Sequence, residues 1–169
     1  MTCQIIGSVL YGADELIAQF VTSRIKSEPR MFGPRNPETG ELPYKALGVV
    51  RSGVLLGGIV FYNYYGHSIE AGMAFDRADW ARPSTLRRLF SYPYFQLGVA
   101  RCTVMTGRKN RRTRQFLDRL GFKVEGVLRK GANGIEDAIL YGLLRHEIAW
   151  LMERKTKTNV QPPIAAANS

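Results

Sequence analysis

The chain has 169 residues, of which 45% are hydrophobic and 22% charged, and its formal net charge is +10. This size and composition predict one globular domain with a buried core. No apolar run approaches the ~18 residues that a membrane span needs. The first residues lack the basic-then-apolar pattern of a secretory signal, so we expect a cytoplasmic protein with no membrane partner. Cys3 and Cys102 are too few for a disulfide framework, and the sequence has no Cys/His cluster that predicts a metal site.

The positive charge is concentrated in residues 82–130, called the basic stretch below. This stretch holds 13 lysines and arginines and two acidic residues, a net charge of +11, while the rest of the chain sums to −1. Such a stretch attracts nucleic acid, an acidic protein surface or a phosphorylated cofactor. A solvated basic surface without a partner explains the charge equally well.

The N-terminal part begins with a predicted helix and a long loop. Residues 14–26 have helical spacing, with Asp14 as the N-cap. Residues 28–45 are rich in proline and glycine, which predicts a long ordered loop of the kind that is often functional. The apolar face of the predicted helix consists of Leu16, Ile17, Phe20, Val21 and Ile25.

Three strands are predicted next. Residues 46–50 and 54–62 are β-rich runs around Arg51-Ser52-Gly53, which indicates a hairpin. In the third run, residues 67–75, apolar side chains alternate with small ones and with Glu70, so one face of this strand is apolar and the other carries a single carboxylate.

The second half predicts two helices and three strands. A helix over 83–98 should kink or split at Pro93, since proline lacks the N–H that a helix interior requires. The order of elements predicts a mixed α/β sheet in one domain, residues 1–154, followed by a disordered tail, residues 155–169. The other elements are a strand over 101–106, a helix over 111–120 between Asn110 and Gly121, and strands over 122–128 and 138–144 around the turn Asn133-Gly134.

Several motifs in the second half resemble the GNAT superfamily of N-acetyltransferases. They are the strand ending at Asn110, the Leu-Gly-Phe sequence that ends at Phe122, and Glu125-Gly-Val-Leu-Arg129. Residues 137–147 are similar to the last strand of the branch that includes the ribosomal-protein and aminoglycoside acetyltransferases. Residues 79–98 more loosely resemble GNAT-type proteins often found in bacteriophage and prophage genomes.

This resemblance implies a fold and a cofactor. The fold is a mixed, mostly antiparallel sheet whose central parallel strand pair is splayed and flanked by helices. Acetyl-CoA, the acyl donor, is expected between the splayed strands, with the backbone of Met73, Ala74 and Phe75 binding the acetyl and pantetheine groups.

The pyrophosphate is expected at the N-terminus of the helix that begins at Pro83, since free N–H groups there favour an anion. The family usually has glycines where this chain has Pro83 and Thr85. Arg82 and the hydroxyls of Ser84 and Thr85 are expected to replace the missing donor. A pocket that no longer holds CoA well is the alternative.

The next helix supplies further cofactor contacts. The resemblance implies that Asn110 contacts the cofactor, while capping of the helix explains the same residue locally. Arg112 is expected to bind the phosphates, in a group of cations larger than one phosphate requires. The group consists of Arg108, Lys109, Arg111, Arg112 and Arg114.

Direct attack of an amine on a thioester needs a base and stabilisation of the oxyanion. Glu70, on the strand expected to flank the thioester, is our candidate for the base, acting through water. A solvent-facing or salt-bridged carboxylate is an equally weighted alternative, and His67 is a competing base. The family's tyrosine acid corresponds to Leu117, which leaves Tyr141 as a substitute.

The resulting hypothesis is an acetyl-CoA-dependent N-acetyltransferase. The acceptor is a primary amine, and the sequence does not distinguish a protein N-terminus, a lysine, an aminoacyl-tRNA and a small amine. The loop over 28–45 is expected to shape the acceptor pocket. The alternative is a non-catalytic module on the same fold that holds nucleic acid or an acidic protein on the basic stretch. A homodimer is a further expectation that no residue pattern supports directly.

Overall fold

An eight-stranded sheet with helices on both faces forms the centre of the computed structural model, which describes residues 2–27 and 29–151. The predicted tail, 155–169, and the last residues of the predicted domain lie outside the described residues. The strands are β1 Gln4–Ile6, β2 Val9–Tyr11, β3 Lys45–Arg51, β4 Val54–Tyr62, β5 Ser68–Phe75, β6 Arg101–Gly107, β7 Lys123–Ala132 and β8 Glu136–Leu144. The helices are α1 Asp14–Arg24, α2 Pro83–Ser91 and α3 Arg111–Leu120.

The strand order is β1-β2-β3-β4-β5-β6-β8-β7, and β5 and β6 are the parallel neighbours in this sheet. Each of the other neighbouring pairs is antiparallel. The predicted mixed, mostly antiparallel sheet is therefore confirmed.

The parallel pair is splayed. β5 and β6 are paired from Ser68 and Arg101 to Glu70 and Thr103. Beyond this point β5 continues to Phe75 along β4, while β6 continues to Gly107 along β8. The two strands diverge after Glu70 because each follows its outer, antiparallel neighbour.

The two faces of β5 belong to different cores. Ile69 and Ala71 are buried in the larger core, which lies between the sheet and helices α2 and α3. Gly72 and Ala74 face the smaller core on the other side, which contains α1 and Phe32. The alternation predicted for this strand is thus confirmed, and Glu70 lies on the α1 side.

Helix α1 differs in detail from its prediction. Ala13 is the N-cap and Asp14 is the first helical residue. The Asp14 carboxylate instead accepts a hydrogen bond from the Ala46 N–H at 2.6 Å and pairs with Lys45 Nζ at 3.0 Å, so it ties α1 to β3. Leu16 and Ile25, assigned to the buried face, are exposed. The buried residues of α1 are Ile17, Ala18, Val21 and Thr22.

The segment after Pro83 splits as predicted. Helix α2 ends at Ser91, and Tyr92–Gln96 form a π-helical turn that contains Pro93. Residues 29–44 form most of the predicted loop, which contains the short 3₁₀ helix Pro29–Phe32 and ends where β3 begins at Lys45. The hairpin β1–β2 was not predicted, because strands of three residues are too short to show periodicity. Two more 3₁₀ turns, Arg145–Glu147 and Ala149–Leu151, follow β8.

The two cysteines have opposite environments. Cys3 is exposed, whereas Cys102 on β6 is fully buried, and burial raises the pKa of its thiol to about 12.

Within residues 2–27 and 29–151 no helix is long and apolar enough to cross a membrane. The same part of the chain contains no group of three His, Cys, Asp or Glu residues placed to hold a metal.

Candidate active site

Glu70 lies at the point where β5 and β6 diverge. It forms the last parallel pair with Thr103, and its side chain is half-buried on the α1 face of the sheet. Tyr62 lies directly opposite Glu70 on β4, so the two side chains are neighbours on the same face of the sheet. Burial and the neighbouring Glu70 charge raise the pKa of Tyr62 to about 12, so this phenol stays protonated at neutral pH.

Tyr62 is held in place by aromatic packing. Its ring lies 5.0 Å from that of Phe32, centroid to centroid. Gly72 leaves room for this pair, since a Cβ at Gly72 would come within 3.3 Å of the Phe32 ring. Tyr62 was not predicted from the sequence, because its pairing with Glu70 depends on a hairpin register that the intervening loop obscures.

A cleft of about 620 Å³ opens beyond the divergence point, between β5, the segment before α2, helix α3 and the end of α1. The edge of β5 that faces away from β4 has no strand partner from Ala71 to Phe75 within the described residues. Its backbone groups are therefore available to a ligand in the cleft. The structure brings together five of the predicted cofactor-binding residues in this lining: Met73, Ala74, Phe75, Asn110 and Arg112.

Aromatic rings form one wall of the cleft. Trp80 is buried and stacks on Phe75 with centroids 3.4 Å apart and planes 6° from parallel. Phe116 of α3 packs on the other side of Trp80, 5.3 Å away between centroids. These contacts fix the segment that leads into α2. Trp80 and Phe116 were not predicted as part of the site, because their contact joins residues far apart in the sequence.

The cleft lining does not include the four residues expected at the pyrophosphate, Arg82 to Thr85, although it includes Ala81 and Leu86 on either side of them. Arg82 is the exposed N-cap and Pro83 the first helical residue. The Leu86 N–H is bonded to the Arg82 carbonyl at 2.9 Å, so the first turn leaves the N–H groups of Ser84 and Thr85 without helical acceptors. The Thr85 hydroxyl is buried and hydrogen-bonded to Ser8 Oγ at 2.8 Å, so it does not face the cleft.

The start of α3 combines a cap with a cleft position. Asn110 Oδ1 accepts a hydrogen bond from the Thr113 N–H at 3.2 Å, which confirms the capping interpretation. Asn110 also lines the cleft. Arg112, one turn into the helix, is exposed and makes no ion pair within the described residues. Its guanidinium is therefore available to an anion at the cleft.

The remaining candidates lie elsewhere. Tyr141 is fully buried beneath α3, where its hydroxyl accepts a hydrogen bond from Arg114 Nε at 3.3 Å, and it lines neither cavity described here. Leu117 is buried in the same core. His67 is an exposed loop residue before β5 and lines neither cavity. The role of Tyr141 as an acid stays a prediction.

Part of the basic stretch is neutralised locally. Arg101 pairs with Glu125, Arg108 with Asp137 at 3.7 Å, and Lys123 with Glu147. The other ten cations of the stretch make no ion pair within the described residues. Of these, Arg112 and Arg119 line the cleft.

A second cavity lies at the opposite end of β5 and is called the loop cavity below. Its volume is about 960 Å³. It is enclosed by the start of α1, residues 35–45 of the long loop, the end of β4 and the π-helical turn. It shares no lining residue with the cleft.

Comparisons with known proteins identify the fold. No family model and no curated protein matches the sequence. Among solved structures, a GNAT-family acetyltransferase from Bacillus anthracis has 16% identity and a TM-score of 0.60, covering 86% of this chain and 100% of that one. The chain therefore has the fold of the GNAT acetyltransferases, which confirms the resemblance of the motifs at the level of fold.

Two further neighbours have named acceptors. The ribosomal-protein-S5-alanine acetyltransferase of Vibrio fischeri has 14% identity and a TM-score of 0.60, covering 88% of this chain and 99% of that one. Mutant forms of the spermidine/spermine N-acetyltransferase of Vibrio cholerae have 17% identity and a TM-score of 0.55, covering 63% and 69%. The ribosomal-protein branch named from the motifs thus occurs among the structural neighbours.

Proposed function

We propose that this protein is an acetyl-CoA-dependent N-acetyltransferase that transfers the acetyl group to a primary amine by direct attack on the thioester. The observation that carries the proposal is the divergence of β5 and β6 at Glu70, with an open cleft directly beyond it. The named acceptors of two structural neighbours, the S5 alanine and spermidine/spermine, support an amine as acceptor.

The residues of the cleft, together with the adjacent start of α2, offer groups that suit the cofactor. The unpaired edge of β5 offers backbone groups to the pantetheine amides, and Arg112 offers a cation to the phosphates. The N–H groups of Ser84 and Thr85, with the Arg82 side chain, offer donors at the positive end of α2. Pro83 removes one donor from this turn, and Arg82 compensates by charge.

Acetyl-CoA would supply the thioester carbonyl carbon, at which the new C–N bond forms and the C–S bond breaks, and CoA would leave as the free thiol with the second proton of the attacking amine. Glu70 accepts the ammonium proton of the acceptor through a water molecule, which frees the lone pair for attack. Tyr62, which is paired opposite Glu70 on β4, would orient the carboxylate by donating a hydrogen bond to it. A backbone N–H on the free edge of β5 stabilises the developing oxyanion.

Isothermal titration with acetyl-CoA tests the cofactor part of the proposal. We expect saturable binding at micromolar concentrations, and absence of heat up to hundreds of micromolar would rule out acetyl-CoA as the donor.

The catalytic part is tested with Glu70→Gln, which keeps the size of the side chain and its acceptor oxygen. We expect transfer to fall by about 100-fold or more while acetyl-CoA affinity is retained. Equal rates in variant and parent would exclude Glu70 as the base.

The other partners predicted from the sequence remain predictions. An acidic partner on the basic stretch would bind with an affinity that falls steeply as salt is raised. Binding that is salt-dependent and indifferent to acetyl-CoA would favour the non-catalytic alternative. A homodimer is tested by sedimentation of the full chain.

A further inference from the structure

The loop cavity is a separate compartment from the cleft, and none of the residues given a role in the proposed acetyl transfer lines it. It is larger than the cleft, at about 960 Å³ against about 620 Å³. It lies at the N-terminal end of β5, whereas the cleft lies beyond the divergence point towards the C-terminal end. Any ligand of this cavity must therefore be recognised by its own lining.

Aromatic side chains are the first distinctive part of that lining. Tyr44, Phe61, Tyr64 and Tyr92 all line the cavity. The rings of Phe61 and Tyr92 lie 5.5 Å apart between centroids, so they form a continuous aromatic wall. The face of an aromatic ring attracts a cation, because its π-electrons give it a negative potential.

The charges of the lining favour a cation as well. Three carboxylates, Asp14, Glu15 and Glu41, line the cavity together with the cations Arg35 and Lys45. Lys45 pairs with Asp14 at 3.0 Å, and Arg35 pairs with Glu15. Glu41 makes no ion pair in the part of the chain that the structure describes. The lining thus has a net negative charge in a chain of +10.

The negative charges of the lining also act on the pKa of two tyrosines, Tyr44 and Tyr92. Burial raises the pKa of Tyr44, the charges of Glu15 and Asp14 raise it further, and Arg35 opposes them. Burial followed by the Asp14 charge likewise raises the pKa of Tyr92. Both phenols therefore stay neutral at physiological pH and can contribute their ring faces and hydroxyl oxygens to a bound cation.

An anion is disfavoured at the same place. Helix α1 begins at the cavity, and a free helix N-terminus would attract negative charge. The first turn of α1, however, already contains Asp14 and Glu15. These two carboxylates satisfy the helix dipole and would repel an incoming anion.

We propose that the loop cavity binds an organic ammonium ion with an apolar body. Its charged group would lie against Glu41 and the tyrosine rings, and its body against Leu42, Ile69 and Leu97. This proposal does not rest on the proposed acetyl transfer, since it concerns binding alone.

The test compares a cationic probe with a neutral one of the same shape. Isothermal titration of the full chain with 2-phenylethylamine and with 2-phenylethanol, both without acetyl-CoA, separates charge from shape. We expect the amine, which is protonated at pH 7, to bind at least about tenfold more tightly than the alcohol. Equal affinities, or no binding of the amine at millimolar concentration, would overturn the proposal.

Variants locate the site. Glu41→Gln and Tyr64→Ala should each weaken amine binding by roughly three- to tenfold. Glu38→Gln and Tyr65→Ala are matched controls, because both residues are exposed, lie near their counterparts in the same loops and do not line the cavity. Tyr64 and Tyr65 are 49% and 65% exposed, so neither substitution should prevent folding. Equal losses in test and control variants would contradict the assigned site.

The test of the loop cavity does not depend on whether the cleft binds acetyl-CoA. Titration of the same protein with acetyl-CoA reports on the proposed function alone, and titration with 2-phenylethylamine reports on the loop cavity alone. Adding both, with detection of released CoA thiol, then shows whether the bound amine is acetylated or only held. Neither result alters whether the cavity binds ammonium.

Discussion

The two ends of β5 present opposite chemistry to a ligand. The cleft beyond Glu70 is lined by the free edge of a strand and by the cations Arg112 and Arg119, together with an Arg24 that Asp76 neutralises. The loop cavity at the other end is lined by tyrosines and carries a net negative charge. The chain has a net charge of +10, yet at the two ends of this one strand the lining of the cleft is positive and that of the loop cavity is negative. Each lining attracts a ligand of the opposite charge.

The largest expected effect comes from the aromatic wall of the cleft. Trp80→Ala removes a buried ring that packs on Phe75 and Phe116, so it should lower the free energy of unfolding by about 3–5 kcal/mol. Urea denaturation monitored by circular dichroism measures this loss. Where the variant remains folded, acetyl-CoA binding should weaken while 2-phenylethylamine binding persists. Parallel loss of both in folded protein would show that the two ends are coupled.

Arg112→Ala should weaken ligand binding at the cleft without changing it at the loop cavity, because Arg112 lines only the cleft. Losing a charge-assisted contact to phosphate should weaken acetyl-CoA binding by about tenfold, with amine affinity at the loop cavity unchanged. Arg111→Ala is the matched control, because Arg111 is an exposed neighbour on the same helix that does not line the cleft. Titration at two salt concentrations checks the effect. An identical loss in both variants would mean that only the general charge of α3 matters.

The smallest effect is expected at the divergence point. Tyr62→Phe keeps the ring against Phe32 and removes the hydroxyl that we propose as a hydrogen-bond donor to Glu70. We expect kcat to fall roughly three- to tenfold, with KM for acetyl-CoA nearly unchanged, because one neutral-to-charged hydrogen bond is lost. Tyr65→Phe, at an exposed position, should leave the rate unaltered. An unchanged kcat in Tyr62→Phe would show that Glu70 needs no orientation by this phenol.

Local rules predicted some elements closely and could not predict others. Helix α3 has the predicted ends, because Asn110 caps it through Thr113 and Gly121 ends it with a φ of 90°. Strand β4 also matches its predicted bounds. In α1, by contrast, helical spacing alone predicted that Leu16 is buried. The face of the helix that contacts the sheet instead contains Ala18 and Thr22, and Leu16 is exposed.

The site shows the same division. Met73 to Phe75 and Asn110 lie at the cleft as the resemblance implied, because strand and helix order bring them there. Tyr62 and Trp80 were missed, since their importance arises from partners on other elements. The orientation of Thr85 was equally hidden, because its hydroxyl bonds to Ser8 in a hairpin that the sequence did not predict.

The burial of Cys102 has a practical consequence for enzymology. Acetyl transfer from a thioester is commonly followed by reacting the released CoA with a chromogenic disulfide, and protein thiols contribute a background. Here the folded chain offers such a reagent one accessible thiol, that of Cys3, because Cys102 is enclosed in the core and its thiolate is strongly disfavoured. Cys3→Ser should therefore give a protein that does not react with the reagent until it unfolds, so the same dye can report both release of CoA and denaturation.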